Sequence, residues 1–314
     1  ELPDEGHSYI QVKSSLQALK DMALLYRNNL DIKVVGITGS VGKTSTKETI
    51  SYVLNKKYKV LKTEGNFNNE IGLPLTVFRL RDDDEVAVLE MGISDFGEMD
   101  RLSKIAQPDI SVITNIGLCH LENLKTRDGI LKAKTEIFNN MKPDGIAILN
   151  GDDDKLITVD EVNGKKPERF GINYKDGVYA KDIENLGLSG TKFVISGLNC
   201  VDGCKDFEVT VPVPGHHMIY NALAAACVGA ALELTSAQIA DGIADLKTIS
   251  GRNNIIKTSK YTLIDDCYNA NPVSMKASVD VLDMAIGRKV CILGNMYELG
   301  EDEKNLHYDV GQYI

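Results

Sequence analysis

No apolar run in this sequence approaches the roughly 18 residues needed to cross a bilayer, so membrane insertion is not expected. Basic charge is also scarce. Thirty-five Lys and Arg face 45 Asp and Glu, for a net charge of −10. That argues against a general nucleic-acid binder, which needs a concentrated basic face, so any phosphate must be held locally. The six cysteines show no paired spacing beyond Cys200-x-x-x-Cys204. This gives no disulfide framework and makes a reducing cytoplasm the simplest compartment. The Cys200/Cys204 pair is readable as a metal half-site or, without a second pair nearby, as reduced thiols in a turn. There is no internal repeat, low-complexity tract or flexible linker, and no N-K-x-D guanine signature. The first residue is Glu1 rather than methionine, consistent with an upstream segment outside this sequence.

What remains is a globular composition, 43% hydrophobic and 25% charged, with 314 residues, enough for a substantial core and two domains. The most informative stretch is ITGSVGKTSTKE, residues 37–48. The usual phosphate loop, G-x-x-x-x-G-K-[ST], would place glycine where Ile37 stands; here the pattern is Gly39-x-x-Gly42-Lys43-Thr44. Glycines let backbone N–H groups turn onto phosphate oxygens, Lys43 supplies a cation, and Thr44 offers a hydroxyl to Mg²⁺. Such spacing arises by chance at roughly one position in 25,000, so a glycine turn capping an ordinary helix is the weaker reading.

Its context fits. Residues 12–29 carry Leu16, Leu19, Ala23 and Tyr26 at helical period; the strand IKVVGIT follows, and a helix runs from Thr44 to Asn55. Alternation continues with strand YKVLK, helix 71–78, strand EVAVLE, helix 98–106, strand DISVIT, helix 126–141 and strand GIAILN. This predicts a mostly parallel sheet covered by helices. After Asn150, short alternating segments predict an antiparallel sheet patched onto the first. Two helices follow, 220–234 and 236–246. Beyond Gly251-Arg252 come strands NIIK and YTLID, helix 274–285, strand KVCILG and a helical start at 301–309, the beginning of another α/β domain.

Candidate chemistry gathers at the strand ends, where open α/β sheets place ligands. Glu90 closes the apolar strand EVAVLE. It reads either as a solvated terminating carboxylate or as a Mg²⁺ ligand beside the loop. His120 follows DISVIT, as a structural histidine or a ligand. On helix 126–141, Ile130, Ile137, Phe138 and Met141 fall at i−4, i+3, i+4 and i+7 from Lys134, which therefore shares the buried face, while Lys132 does not. A buried lysine either snorkels or becomes the neutral amine able to take up carbon dioxide as an anionic carbamate, an oxygen ligand for a hard cation. Thr63, Asn66, Asn68 and Asn69 in TEGNFNNEIGLP make a turn, or together bind a polar, peptide-like or sugar-phosphate substrate. Asn221 opens an alanine-rich helix, Arg252 lies at the apparent domain junction, and Asp266 and Asn271 follow it. Asp, Asn and Arg there suit a ribose, an adenine edge and a phosphate, although each alone also suits a cap or a turn.

Taken together, TGSVGKTSTKE, TEGNFNNEIGLPLT, VLEMGISDFGEM, TNIGLCHLE, KAKTEIF, NALAAA, GR and DDCYNANPVSM resemble the Mur ligases from about residue 12 to the end. The shortened loop is that family's own variant. The resemblance implies a P-loop-type α/β architecture. Residues 1–30 would be the trailing helix of an N-terminal UDP-binding domain, 31–250 a central ATP-binding domain, and 251–314 the first part of a Rossmann-like domain. It also implies ATP-dependent amide ligation through an acyl phosphate, with a UDP-N-acetylmuramoyl-tripeptide and D-Ala-D-Ala as substrates and a cytoplasmic monomer as the working form.

By family role, Gly39, Ser40, Gly42, Lys43, Thr44 and Ser45 hold the phosphates, and Asn221, Arg252, Asp266 and Asn271 surround the nucleotide. Thr63, Asn66, Asn68 and Asn69 contact the UDP-linked substrate. Of two Mg²⁺ ions, one would be held by Thr44 and Glu90, the other by His120 and Lys134 as N6-carboxylysine. The catalytic set would be Lys43, His120 and Lys134. Two departures stand out: Met218 where the family has asparagine, and Asn295 where it has aspartate. Three alternatives are a folate-extending glutamate ligase, against which NFNNEIG argues, a regulatory GTPase, and a non-catalytic nucleotide-binding module.

Overall fold

The computed structural model describes residues 9–314; of the segment 1–30, residues 1–8 lie outside that range. Helix α1 (Ser15–Asn28) starts where the Ser14 hydroxyl accepts the Gln17 N–H. Strand β1 (Lys33–Thr38) then feeds the glycine turn, from which α2 (Lys43–Leu54) departs. The alternation continues through β2 (Val60–Lys62), α3 (Gly72–Val77), β3 (Val86–Glu90), α4 (Glu98–Ala106), β4 (Ile110–Ile113), α5 (Leu121–Leu124), α6 (Arg127–Thr135) and β5 (Ile146–Asn150). The helix expected over 126–141 is α at its start and tightens to a 3₁₀ turn over Glu136–Asn140.

These strands belong to one nine-stranded sheet in the order β2-β3-β1-β4-β5-β6-β7-β8-β9, where β6 is Glu168–Gly171, β7 Val178–Asn185, β8 Thr191–Ser196 and β9 Phe207–Val211. Pairing is parallel from β2 to β7 and antiparallel from β7 to β9. The strands after Asn150 therefore extend the first sheet, and only β8 runs against the others, since β9 turns back antiparallel to it.

Side chains alternate across the sheet with period two. Val35, Ile37, Val86, Val88, Ile110 and Val112 enter one core. Val34, Ala87, Leu89, Ile113, Ala147 and Leu149 enter the other. The first core lies under α2, α7 (His217–Ala231) and α8 (Ser236–Ala244); the second lies under α1, α3, α4 and α6. Both faces of the sheet are thus covered, which its strongly apolar central strands require.

Beyond residue 250, β10 (Asn254–Lys257) and β11 (Thr262–Asp265) form a separate two-stranded antiparallel sheet, followed by α9 (Pro272–Asp283) and α10 (Glu303–Tyr313). The strand expected at KVCILG does not form. Among the described residues no neighbouring strand offers it a ladder, and Val290 and Ile292 remain 63% and 94% exposed.

In this order β1 lies between β3 and β4, so the chain passes to either side of it. That is the switch point at which loops part and leave a crevice. Ile37 is level with Glu90 on one side and with Val112 on the other. The carboxyl ends of β1, β3 and β4 therefore open on the same edge.

Candidate active site

The glycine turn is held by the end of β4. Asn115 accepts the Val41 N–H at 3.0 Å and returns its own amide to the Val41 carbonyl at 2.9 Å; Thr114 Oγ1 donates to that carbonyl at 2.7 Å. Gly39 has φ +150°, and a Cβ there would lie 1.9 Å from Thr114 Oγ1, so only glycine fits. Ser40 Oγ donates to the Gly117 carbonyl at 3.1 Å and accepts the Cys119 thiol at 3.2 Å. The phosphate loop and the loop carrying His120 thus form one hydrogen-bonded unit. Lys43 Nζ donates to the Gly39 carbonyl at 2.9 Å, folded back across the loop.

Thr44 Oγ1 donates to Glu90 Oε1 at 3.3 Å, and Asn68 Nδ2 donates to the same oxygen at 2.9 Å. Glu90 is 2% exposed, yet its Oε2 has no hydrogen-bond partner; the Lys47 ammonium stands 3.8 Å away. A buried carboxylate oxygen left without a donor is costly, and a hard cation beside Thr44 would satisfy it. Among the described residues no three His, Cys, Asp or Glu side chains cluster as a ready metal cage, so any ion here would need a mixed donor set.

His120 sits at φ +49° just before α5, with Nδ1 2.7 Å from Glu298 Oε2. Burial lowers its pKa, with Lys134 and Lys43 adding to that and Glu298 opposing it. Lys134 is 1% exposed and Lys132 is exposed, as the helical spacing indicates. Desolvation, and then the nearby Lys43 charge, bring the Lys134 ammonium down to about 7 from its ordinary 10.5. Of the four side chains, Thr44 and Glu90 are joined directly by a hydrogen bond, whereas His120 and Lys134 are related only through the effect of the lysine charge on the imidazole. Lys43, adjacent to Thr44 in sequence, lowers the pKa of both His120 and Lys134 through its charge.

On the other side of the loop lies a cavity of about 380 Å³, lined among others by Gly42, Ser45, Thr46, Asn221, Arg252 and Asp266. Asn221 is buried; its Oδ1 accepts the Thr46 hydroxyl at 2.9 Å, and its amide points to Met218 Sδ at 3.2 Å. Met218 thus packs on Asn221. Arg252 lies over the Tyr268 ring, 4.1 Å from its centroid. Asp266 accepts the Asn253 N–H at 3.1 Å and the Ser278 hydroxyl. Asn271 does not line the cavity; it caps α9 through the Ser274 N–H. Asn295 is exposed.

The asparagine loop is divided. Thr63 is fully buried and accepts the Glu90 N–H at 3.0 Å. Asn69 accepts the Ile71 and Gly72 N–H groups, and Asn66 is exposed. Glu70, held near a pKa of 2 by its hydrogen bonds to Arg101 and then Lys20, fastens the loop to α4 and α1.

Sequence reasoning missed Thr46, Lys47, Asn115 and Glu298. Lys47 carried a usable signal: Ile50 and Leu54 fall at i+3 and i+7, the spacing that singled out Lys134. Glu298 carried none, since it meets His120 only through the tertiary fold.

The chain matches the Mur ligase middle domain over residues 37–229 and the Mur ligase glutamate ligase domain over 251–314. It is 40% identical to the UDP-N-acetylmuramoyl-tripeptide--D-alanyl-D-alanine ligase of Bacillus subtilis, over 99% of this chain and 66% of that protein. The Escherichia coli ligase of the same name is 36% identical over 96% of this chain and 66% of its own length. Among solved structures, MurF from Acinetobacter baumannii superposes with a TM-score of 0.90 at 35% identity, covering 96% of this chain and 65% of that one. MurF from Thermotoga maritima in complex with ADP does so with a TM-score of 0.88 at 33% identity, covering 100% and 71%. The chain thus spans just under two-thirds of the length of its curated relatives. On matched residues, fold and the shortened phosphate loop alike, it belongs to the Mur ligase family.

Proposed function

We propose that this chain is the nucleotide-binding core of an ATP-dependent peptide ligase that joins D-Ala-D-Ala to a UDP-N-acetylmuramoyl-tripeptide in peptidoglycan precursor synthesis. The observation that carries the reading is the buried Glu90 Oε2, which accepts no hydrogen bond, beside Thr44 and the phosphate loop. The names of the relatives supply the substrates. Residues 31–250 form the central ATP-binding domain and 251–314 the first part of the C-terminal one, with α1 as the trailing helix of a UDP-binding domain. The protein acts as a cytoplasmic monomer; no helix among the described residues is long and apolar enough to cross a membrane.

In the reaction the tripeptide carboxylate attacks the γ-phosphorus of ATP, the β–γ bridging bond breaks and ADP leaves. The D-Ala-D-Ala amine then attacks the acyl carbon, phosphate departs and the new amide nitrogen gives up a proton. Two anions must meet in the first step, so screening is the main catalytic demand. Backbone N–H groups of Gly39 to Ser45 and the Lys43 ammonium hold the phosphates, and Lys43 swings from the Gly39 carbonyl to do so. Asn221, Arg252 and Asp266 surround the base, ribose and phosphates in the cavity, while Asn271 shapes the wall by capping α9. Asn66, Asn68 and Asn69, with Thr63 beneath, form the side facing the UDP-linked substrate.

Two Mg²⁺ ions, one at Thr44 and Glu90 and one at His120 and Lys134, would neutralise the facing phosphate and carboxylate. Lys134 joins this set as a carbamate. Its nitrogen bonds to the carbon of CO₂ and loses a proton, giving N6-carboxylysine. At a pKa of about 7, roughly three-quarters of the amine is neutral at pH 7.5, against about one part in a thousand for an ordinary lysine. The absence of any ion pair to Lys134 among the described residues favours this form over a salt-bridged ammonium.

The test supplies the full-length protein with ATP, Mg²⁺, D-Ala-D-Ala and each UDP-muramoyl tripeptide, and measures dipeptide incorporation with phosphate release. Incorporation of a single amino acid in place of the dipeptide would reassign it to another ligase of the family. ATP binding without any phosphate release would make it a non-catalytic nucleotide module.

A further inference from the structure

Of the two side chains that donate to the Glu90 carboxylate, Asn68 makes the shorter hydrogen bond, Nδ2 to Oε1 at 2.9 Å. Thr44 Oγ1 reaches that same oxygen at 3.3 Å. Both donors therefore converge on Oε1, while the buried Oε2 accepts no hydrogen bond and has the Lys47 ammonium 3.8 Å away. Asn68 is itself held from behind: its N–H donates to the Asn66 carbonyl at 2.7 Å, and its carbonyl accepts the Gly92 N–H at 2.8 Å. A Cβ on Gly92 would lie 3.0 Å from Asn68 Nδ2 and 3.1 Å from its Cγ. The missing side chain at Gly92 is what lets the amide pass to the carboxylate.

We propose that Asn68 is a positioning residue of the cation site. Its amide occupies Oε1 and fixes the carboxylate rotation, so that Oε2 faces the divalent ion. The proposal rests on the reading of Glu90 as a metal ligand given above. A donor that locks a ligating carboxylate from behind typically governs metal affinity by roughly 10- to 100-fold. Because Asn68 lies on the loop assigned to the UDP-linked substrate, one segment then serves substrate and metal together.

The experiment uses full-length protein with a non-hydrolysable ATP analogue and Mn²⁺ as the probe, read by electron paramagnetic resonance. In Asn68→Ala, Mn²⁺ affinity should fall roughly 10- to 100-fold while the unfolding midpoint stays near the parent's. The Mg²⁺ concentration for half-maximal activity should rise in step, and excess Mg²⁺ should restore kcat. Gly92→Ala, which displaces the amide without removing it, should weaken Mn²⁺ in the same direction. Parent-like Mn²⁺ affinity in Asn68→Ala overturns the proposal. So does a deficit seen only as a raised KM for the UDP-linked substrate that no Mg²⁺ repairs. Failure of the parent itself to bind Mn²⁺ with nucleotide overturns the Glu90 reading, and the proposal falls with it.

Discussion

Replacing Lys134 with methionine should stabilise the fold, and the gain should shrink as pH rises. Lys134 is 1% exposed, and burial, followed by Lys43, brings its pKa from 10.5 to about 7. Between those two values the unfolded chain carries a proton that the folded chain lacks. Stability therefore rises with pH across that window, and the penalty of burying this lysine is greatest below pH 7. At about 1.4 kcal/mol per pH unit, releasing the proton at pH 7.5 costs about 4 kcal/mol, and at pH 9.5 only about 1 kcal/mol. Methionine is also unbranched and keeps the apolar contacts with none of this cost. In CO₂-free buffer, Lys134→Met should gain about 2–4 kcal/mol at pH 7.5 and about 1 kcal/mol or less at pH 9.5, against a total stability of about 5–15 kcal/mol. The chain has no tryptophan, so urea unfolding is best followed by circular dichroism at several pH values. A variant no more stable than the parent at pH 7.5, or a gap that does not narrow with pH, would refute the argument. The same substitution should abolish ligation, because the group that costs stability is the one proposed to carry the carbamate.

Two further outcomes follow from the loop and the cavity. Thr46→Val removes the hydroxyl that orients the Asn221 amide and leaves Oδ1 buried without its donor; nucleotide affinity measured by calorimetry should fall by about 1–2 kcal/mol, with Thr46→Ser close to parent. Gly39→Ala drives a Cβ to within 1.9 Å of Thr114 Oγ1. It should cost several kcal/mol, seen as a lower unfolding midpoint, or leave a folded protein with lost nucleotide binding, and a parent-like variant in both respects would contradict the fit.

The parts of this molecule legible in its sequence are those set by local periodicity. The central strands were visible because they are buried on both faces and read as continuous Val, Ile and Leu runs. The turn at Gly39 and Gly42 was visible because backbone geometry restricts its residue types, and Lys134 because its apolar neighbours recur at helical spacing. The KVCILG run fails for the complementary reason. Its composition is as strand-like as that of EVAVLE, but a strand exists only when another backbone offers it a ladder, and that is a property of neighbours rather than of the run. The same distinction applies in the site. Glu90 was identifiable from its position at a strand end, whereas which of its oxygens is free is set by Asn68 and Thr44, which approach from separate segments. Glu298 reaches His120 from a segment 178 residues further along the chain, with no local pattern to mark it. Candidate ligand residues were therefore accessible through strand ends and helix faces, and the groups that contact them only through the fold. The two oxygens of Glu90 show that difference: the residue type makes it a candidate cation ligand, but only the fold shows that Asn68 and Thr44 both donate to Oε1 and leave Oε2 without a donor.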